Sequence, residues 1–121
     1  MDWKFDDNRP IWLQLTERLT LAIVSGAYPP GSRLPSVREL AAEAGVNPNT
    51  MQRALAQLEA DGLAVGGRTA GRTVTEDAAA RNAVRRRLAR EHAQLYLTAM
   101  AGLGYSRAEA VKLLEEENTD E

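Results

Sequence analysis

Cysteine is absent from this 121-residue chain, and histidine occurs once, at His92. Disulfide frameworks and thiolate metal sites are thereby excluded, and one imidazole cannot assemble a metal centre alone. The remaining polar residues supply no paired nucleophile and base, no carboxylate pair and no ligand cluster, so neither an enzyme nor a cofactor is expected. No segment approaches the roughly 20 uncharged apolar residues of a membrane span, and the opening MDWKFDDNRP lacks the apolar run of a signal peptide. A cytoplasmic chain without membrane contact is the expectation. Repeats, low-complexity segments and phosphate-cradling glycine signatures are likewise missing.

Nor is there an excess of positive charge. Residues 1–75 carry eight Lys/Arg against eight Asp/Glu, and residues 76–121 carry seven against nine, the acids crowding into EEENTDE. Nucleic-acid binding therefore cannot be argued from bulk charge and has to rest on where single arginines stand. The length allows one modest core, or one small domain with an appendage.

What is present is a dense set of helix signals. Pro10 suits a first helical position, and Ile11, Leu15, Leu19, Ala22 and Ile23 follow as one apolar stripe that Ser25-Gly26 ends. The connector AYPPGSRLP forbids helix and leaves room for a short strand at Arg33-Leu34. Ser36 and Glu39 are spaced as a capping box opening a second helix that closes at Gly45. Asn47-Pro48 then reads as a cap followed by a first-turn proline, with Val46 placed to staple onto Met51. This third helix buries Met51, Ala54, Leu55 and Leu58 and stops at Asp61-Gly62, with Leu63 folding back on Leu58. Two helices joined by so tight a glycine turn make a helix-turn-helix.

Leu63-Ala64-Val65 and Arg72-Thr73-Val74 are β-prone runs around GGRTAG, a hairpin or wing. Thr75 is positioned to cap a fourth helix over about residues 76–101, with Glu76 and Asp77 at its positive end. After Gly102 and Gly104, Ser106 and Glu109 form a second capping box for a short last helix, beyond whose Leu114 the acidic tail has nothing to bury and is expected to be disordered. The expected fold is mainly α with a small β-hairpin: a winged helix-turn-helix over residues 1–75, then a two-helix dimerisation segment over residues 76–121.

The third helix turns Asn49, Gln52, Arg53, Ala56 and Gln57 away from its core stripe, with Thr50 beside them and no carboxylate before Glu59. Amides pair with adenine, and arginine pairs with guanine, through two hydrogen bonds each in the major groove. A solvated helix face is the bland alternative. Arg38 sits in the first turn of the second helix, where the macrodipole disfavours a cation, so it fits a DNA phosphate or else pairs with Glu39 or Glu43. Arg68 and Arg72 flank the wing tip and suit a minor groove or phosphate, although hairpin tips also carry arginine for solubility. The run Arg81, Arg85, Arg86, Arg87, Arg90 points around the helix and reads as a solvated face with no assigned role, and His92, on the apolar side, reads as a packed or hydrogen-bonded histidine. From there the helix is apolar nearly all round. Leu88, Leu95, Tyr96, Leu97, Met100 and Leu103 suit a second copy of the chain, the alternative being that they fold back on the winged domain.

The run PGSRLPSVRELAAEAGVNPNTMQRALAQLEADGL resembles the DNA-binding domain of the GntR family of bacterial regulators, through its LPS-x-REL-A and GVNPNT-x-x-RA-x-x-x-LE-x-x-G signatures. With the first helix and wing the resemblance covers about residues 8–75, and the short helical C-terminal part resembles the YtrA subfamily, which dimerises through two helices. The resemblance implies DNA contacts from Ser36 and Arg38, from Asn47, Asn49, Thr50, Gln52 and Arg53, and from Arg68, Thr69 and Gly71. The wing departs from the family's G-x-G-T-F-V strand, having one glycine fewer and no aromatic in TAGRTV. The implied protein is a transcriptional regulator, as a repressor the commoner outcome, that binds double-stranded operator DNA as a homodimer and controls a neighbouring transporter operon. A small effector could act between the C-terminal helices, where the sequence names no ligand residues. The rival reading is a winged-helix module that docks a protein partner without DNA.

Overall fold

The computed structural model describes residues 1–67 and 71–117. In chain order these form α1 (Ile11–Val24), α2 (Val37–Ala44), α3 (Pro48–Ala60), β1 (Ala64–Gly67), β2 (Gly71–Val74), α4 (Ala78–Gly102) and α5 (Arg107–Glu117). The architecture is the expected one, mainly helical with one antiparallel hairpin. The chain divides into two compact units, Met1–Val84 and Arg85–Glu121, and α4 contributes residues to both. No helix among the described residues is long and apolar enough to cross a membrane.

In the first unit α3 is central, packing on α1, α2 and β1. Its 3.6-residue stripe of Met51, Ala54, Leu55 and Leu58 is fully buried, as are Leu15, Leu19 and Ile23 of α1 and Leu40 of α2. Each large side chain so buried contributes about 1.5–3 kcal/mol. Pro10 occupies the cap of α1, one place before the expected first turn. Buried Gln14 accepts from the Asp6 amide and donates to the Asp6 and Arg9 carbonyls, tying the N-terminal segment to α1.

The turn between α2 and α3 is built as the residues suggest. Ser36 Oγ accepts from the Glu39 amide, and Glu39 Oε1 accepts from the Ser36 amide, both at 3.1 Å. Gly45 takes φ 71°, a left-handed conformation that a Cβ disfavours, and this lets the Val46 amide reach Ala41 O at 3.0 Å. Asn47 then caps α3 with Pro48 in its first turn. At the far end the Leu63 amide donates to Leu58 O and the Gly62 amide to Glu59 O, both at 3.0 Å, the reciprocal pair of a Schellman stop.

The wing pairs Ala64 with Val74 through to Gly67 with Gly71. Instead of a separate strand, Arg33 makes one antiparallel bridge to Thr73. Around it the Val74 amide donates to Ser32 O and the Leu34 amide to Arg72 O, both at 2.9 Å, so the connector lies along the outer edge of β2. Arg72, expected at the wing tip, is only 6% exposed, and its Nε donates to Glu59 Oε1 at 2.6 Å. That pair locks β2 to the last turn of α3.

Two further helix boundaries differ from expectation. α4 begins at Ala78 because Asp77 takes the capping role: its Oδ1 accepts from the Ala79 amide at 2.9 Å, while Thr75 Oγ1 accepts from Asp77 itself at 3.1 Å. α5 runs past Leu114 to Glu117, and residues 118–121 lie outside the described residues. In the second unit, Tyr96 donates its hydroxyl to Ala110 O at 2.7 Å, and Met100 and Ala110 are buried.

Hydrogen bonds from Ser36, the backbone amide first and then the hydroxyl, hold the Glu39 carboxyl below the usual carboxylate range. A depressed folded value means that the box stabilises above the ordinary carboxylate pKa and that this support disappears as pH falls through the folded value. Ser36→Ala should lower unfolding free energy by about 1 kcal/mol and flatten the acid limb of stability against pH, both read from denaturant melts. Arg72→Met, which strands a largely covered carboxylate, should destabilise by about 2 kcal/mol. In the same melts, adding Glu59→Gln should restore part of that loss.

Candidate nucleic-acid interface

Burial of one α3 stripe dictates what the opposite side presents. Asn49, Arg53 and Ala56 are exposed, and Thr50, Gln52 and Gln57 are half-buried beside them. Glu59, the one carboxylate within α3, is neutralised by Arg72, so the outward face keeps its amide, hydroxyl and guanidinium character. Gln57 donates to Asp61 Oδ1 at 3.0 Å and is thereby held toward the C-terminal end of α3. Asn47 has its Oδ1 engaged by the Asn49 amide at 2.7 Å, leaving its NH2 to donate outward.

Arg53 is held in a particular way. Its Cζ lies 4.0 Å from the centroid of the Trp12 ring, so the guanidinium stacks on an indole supplied by α1. Trp12 carries no mark in the sequence beyond being an aromatic at the border of the α1 stripe, and the contact exists only because α1 packs across α3.

Around this helix the other candidate groups gather unevenly. Arg38 is exposed and makes no ion pair with Glu39 or Glu43 among the described residues. Ser36 is exposed at the start of α2, its Oγ accepting from the Glu39 amide and its hydroxyl also engaged with the Glu39 carboxyl. Gly71 opens β2 at φ 80°, and a Cβ there would sit 2.7 Å from Arg33 Nη2, so the Arg33 guanidinium lies directly on the wing backbone. No local signal places Arg33 at this surface, because its partner glycine is distant in sequence. Arg72 is the one wing arginine whose position is described, and it turns inward to Glu59 instead of outward. A charged side chain on the covered side of a hairpin takes the nearest carboxylate, and the α3 stop delivers one. Arg68 and Thr69 lie outside the described residues.

The apolar set of the second unit is divided. Leu95 is 67% and Leu103 74% exposed, and Tyr105, Val111 and Leu114 are also open. Leu88, Tyr96 and Leu97 are half-buried, and Met100 is buried at 8% exposure. His92 is exposed, not packed, because α5, with 11 residues, is too short to line the 25 residues of α4. Among the basic run, Arg81 donates to Thr75 O at 2.9 Å and Arg87 approaches Glu91 at 4.0 Å, while Arg85, Arg86 and Arg90 are exposed.

Comparison with known proteins agrees with this geometry. The profile of bacterial regulatory proteins of the gntR family matches residues 12–74, from Trp12 to the end of β2. The uncharacterised HTH-type transcriptional regulator YhcF of Bacillus subtilis is 33% identical over 93% of both chains. The HTH-type transcriptional repressor YtrA of the same organism is 38% identical over 57% of this chain and 53% of its own length. Among solved structures, a GntR family transcriptional regulator from Listeria monocytogenes superposes with a TM-score of 0.84 at 33% identity, covering 93% of this chain and 98% of that one. The DNA-binding domain of AraR, solved in complex with its operator, superposes with a TM-score of 0.55 at 25% identity over 60% of this chain and 93% of its own. With a matching family profile over more than half its length and a relative that is similar from end to end, this chain belongs to the gntR family of bacterial regulatory proteins, as a short, YtrA-like transcriptional regulator built on a winged helix-turn-helix.

Proposed function

We propose that the protein is a homodimer that reads a pseudo-palindromic operator, with the two α3 helices in successive major grooves about one helical turn apart. The observation that carries this reading is the outward face of α3, where Asn49, Thr50, Gln52 and Arg53 stand clear of the buried stripe and the one carboxylate of the helix is neutralised. Arg53 and the amides contact base edges. Asn47, Ser36 and Arg38 donate to phosphates at the two helix starts, and Arg68, Thr69 and the Gly71 backbone do so from the wing. Arg72 is left out of the contact set because Glu59 holds it. AraR, bound to its operator in a solved complex, supports duplex DNA as the ligand. The repressor name of YtrA supports repression, by occluding polymerase at a promoter such as that of a transporter operon.

The second copy is supported by the leucines left open on α4 and in the turn that follows it. Leu95 and Leu103, at 67% and 74% exposure, would each contribute about 1.5–3 kcal/mol when buried against a twin. Leu88, Tyr96, Leu97 and Met100 complete that surface, and any effector would act by changing the separation of the two readers. The neutral charge of residues 1–75 favours a protein-docking module instead. The α3 face, however, lacks the apolar or aromatic anchors on which such interfaces centre.

Duplexes selected from a random pool by the protein itself supply the probe. Arg53→Ala and Asn49→Ala should each weaken the selected duplex by about 1–3 kcal/mol in fluorescence anisotropy, and unchanged affinity in both would sink the assigned reading face. With about six phosphates neutralised per dimer, log affinity should fall against log salt with a slope of about −5. Arg38→Ala should make that slope shallower by about one for each phosphate it no longer neutralises, and weaken all duplexes alike. Leu95→Glu combined with Leu103→Glu should sediment as a monomer at equilibrium, and a persisting dimer would remove these residues from the interface.

A further inference from the structure

The Trp12–Arg53 stack has no counterpart in the DNA contacts proposed for α2, α3 and the wing. A guanidinium has a face, which stacks, and an edge of five N–H donors, which hydrogen-bonds. In Arg53 the guanidinium carbon lies over the Trp12 ring, 4.0 Å from its centroid, whereas no hydrogen bond or ion pair with any described residue engages the N–H donors. A solvated arginine on a helix normally samples many rotamers, and ordering it on binding opposes association. Here α1 has already fixed one of them by stacking, with the edge left to an acceptor from outside the chain.

We infer that Trp12 is a positioning residue of the DNA-reading surface: the indole on α1 holds the Arg53 guanidinium flat, so that its edge presents two parallel donors to a planar acceptor pair on the duplex. This rests on the DNA-binding function proposed for α3 and names the device behind it. Two acceptor pairs on DNA share that chemistry, the O6 and N7 atoms of guanine and the two free oxygens of a backbone phosphate. Association also draws the stack out of water, where a cation on an aromatic ring gains strength. The preference for an aromatic over an aliphatic side chain at position 12 is then a matter of affinity for DNA and not of core packing, since Trp12 is only half-buried in the free chain.

A mutant cycle on the intact protein separates this from a structural role. The ligands are a duplex selected from a random pool and an unselected duplex of equal length, with thermal melts run alongside. Trp12→Ala should weaken the selected duplex about tenfold, and Trp12→Phe, which keeps a ring, should restore most of the loss. In an Arg53→Ala background, Trp12→Ala should have no further effect, because the ring acts through the guanidinium. Loss confined to the selected duplex assigns the acceptor as guanine, and equal loss on both assigns it as phosphate. In a Trp3→Phe background, the remaining indole emission should shift on adding the selected duplex. The inference is overturned by full affinity in Trp12→Ala, by the same tenfold loss with Arg53 already removed, or by a Trp12→Phe variant as weak as Trp12→Ala. Should the unaltered protein bind no duplex at all, the DNA-binding reading fails and this inference with it; normal binding by the unaltered protein with a silent Trp12→Ala overturns the inference alone.

Discussion

Everything outward-facing in the first unit follows from the burial of one stripe of α3. Met51, Ala54, Leu55 and Leu58 have no solvent exposure, and α1, α2 and β1 converge on them. A helix has only one way to bury such a stripe, because residues three and four apart share a side. Once that side faces α1, the orientation of Asn49, Gln52 and Arg53 is settled to within a few tens of degrees. The capping groups of Ser36, Asn47 and Gly45 matter because they hold the α2–α3 turn short enough for both helices to reach the same core.

The surface is then refined by interactions that bridge distant parts of the chain. The connector before α2 runs along β2, so the root of the wing and the start of the helix-turn-helix are one hydrogen-bonded piece. Arg72 reaches from that piece to Glu59 on α3, and Arg33 lies against Gly71. Pairing one carboxylate of α3 with one cation of β2 takes both charges out of the pattern that the outward surface presents. A chain with equal numbers of acids and bases in its first 75 residues thus presents a surface unlike its average.

The second unit poses the opposite situation. α5 is tied to α4 by Tyr96, and Met100 and Ala110 are buried, but Leu95 and Leu103 stay open. A two-helix unit of this size has too little interior to bury its apolar residues alone. Its exposed leucines are the surface on which the proposed pairing with a second copy rests.

Local signals are legible in the sequence because they are local in physics. A capping box, a proline after an asparagine and a glycine stop each act within about one turn, and all of those appear where the residues place them. The family signatures are likewise contiguous, which is why the family is legible from the residues and the profile match over residues 12–74 agrees with it. The start of α4 falls two residues later than the sequence suggests because Thr75 and Asp77 compete for the same cap, and only the fold selects between them. Arg72, Arg33, His92 and Trp12 lie beyond such reading for one shared reason. Their environments are set by residues brought close only when α1, α3 and the wing assemble, or, for His92, by how far α5 extends along α4. The chain alone determined which segments are helical and which sides are apolar, through short-range sterics and periodicity. Tertiary packing decided which arginine pairs inward and which one lies over an indole, because charge partners are chosen by distance in space.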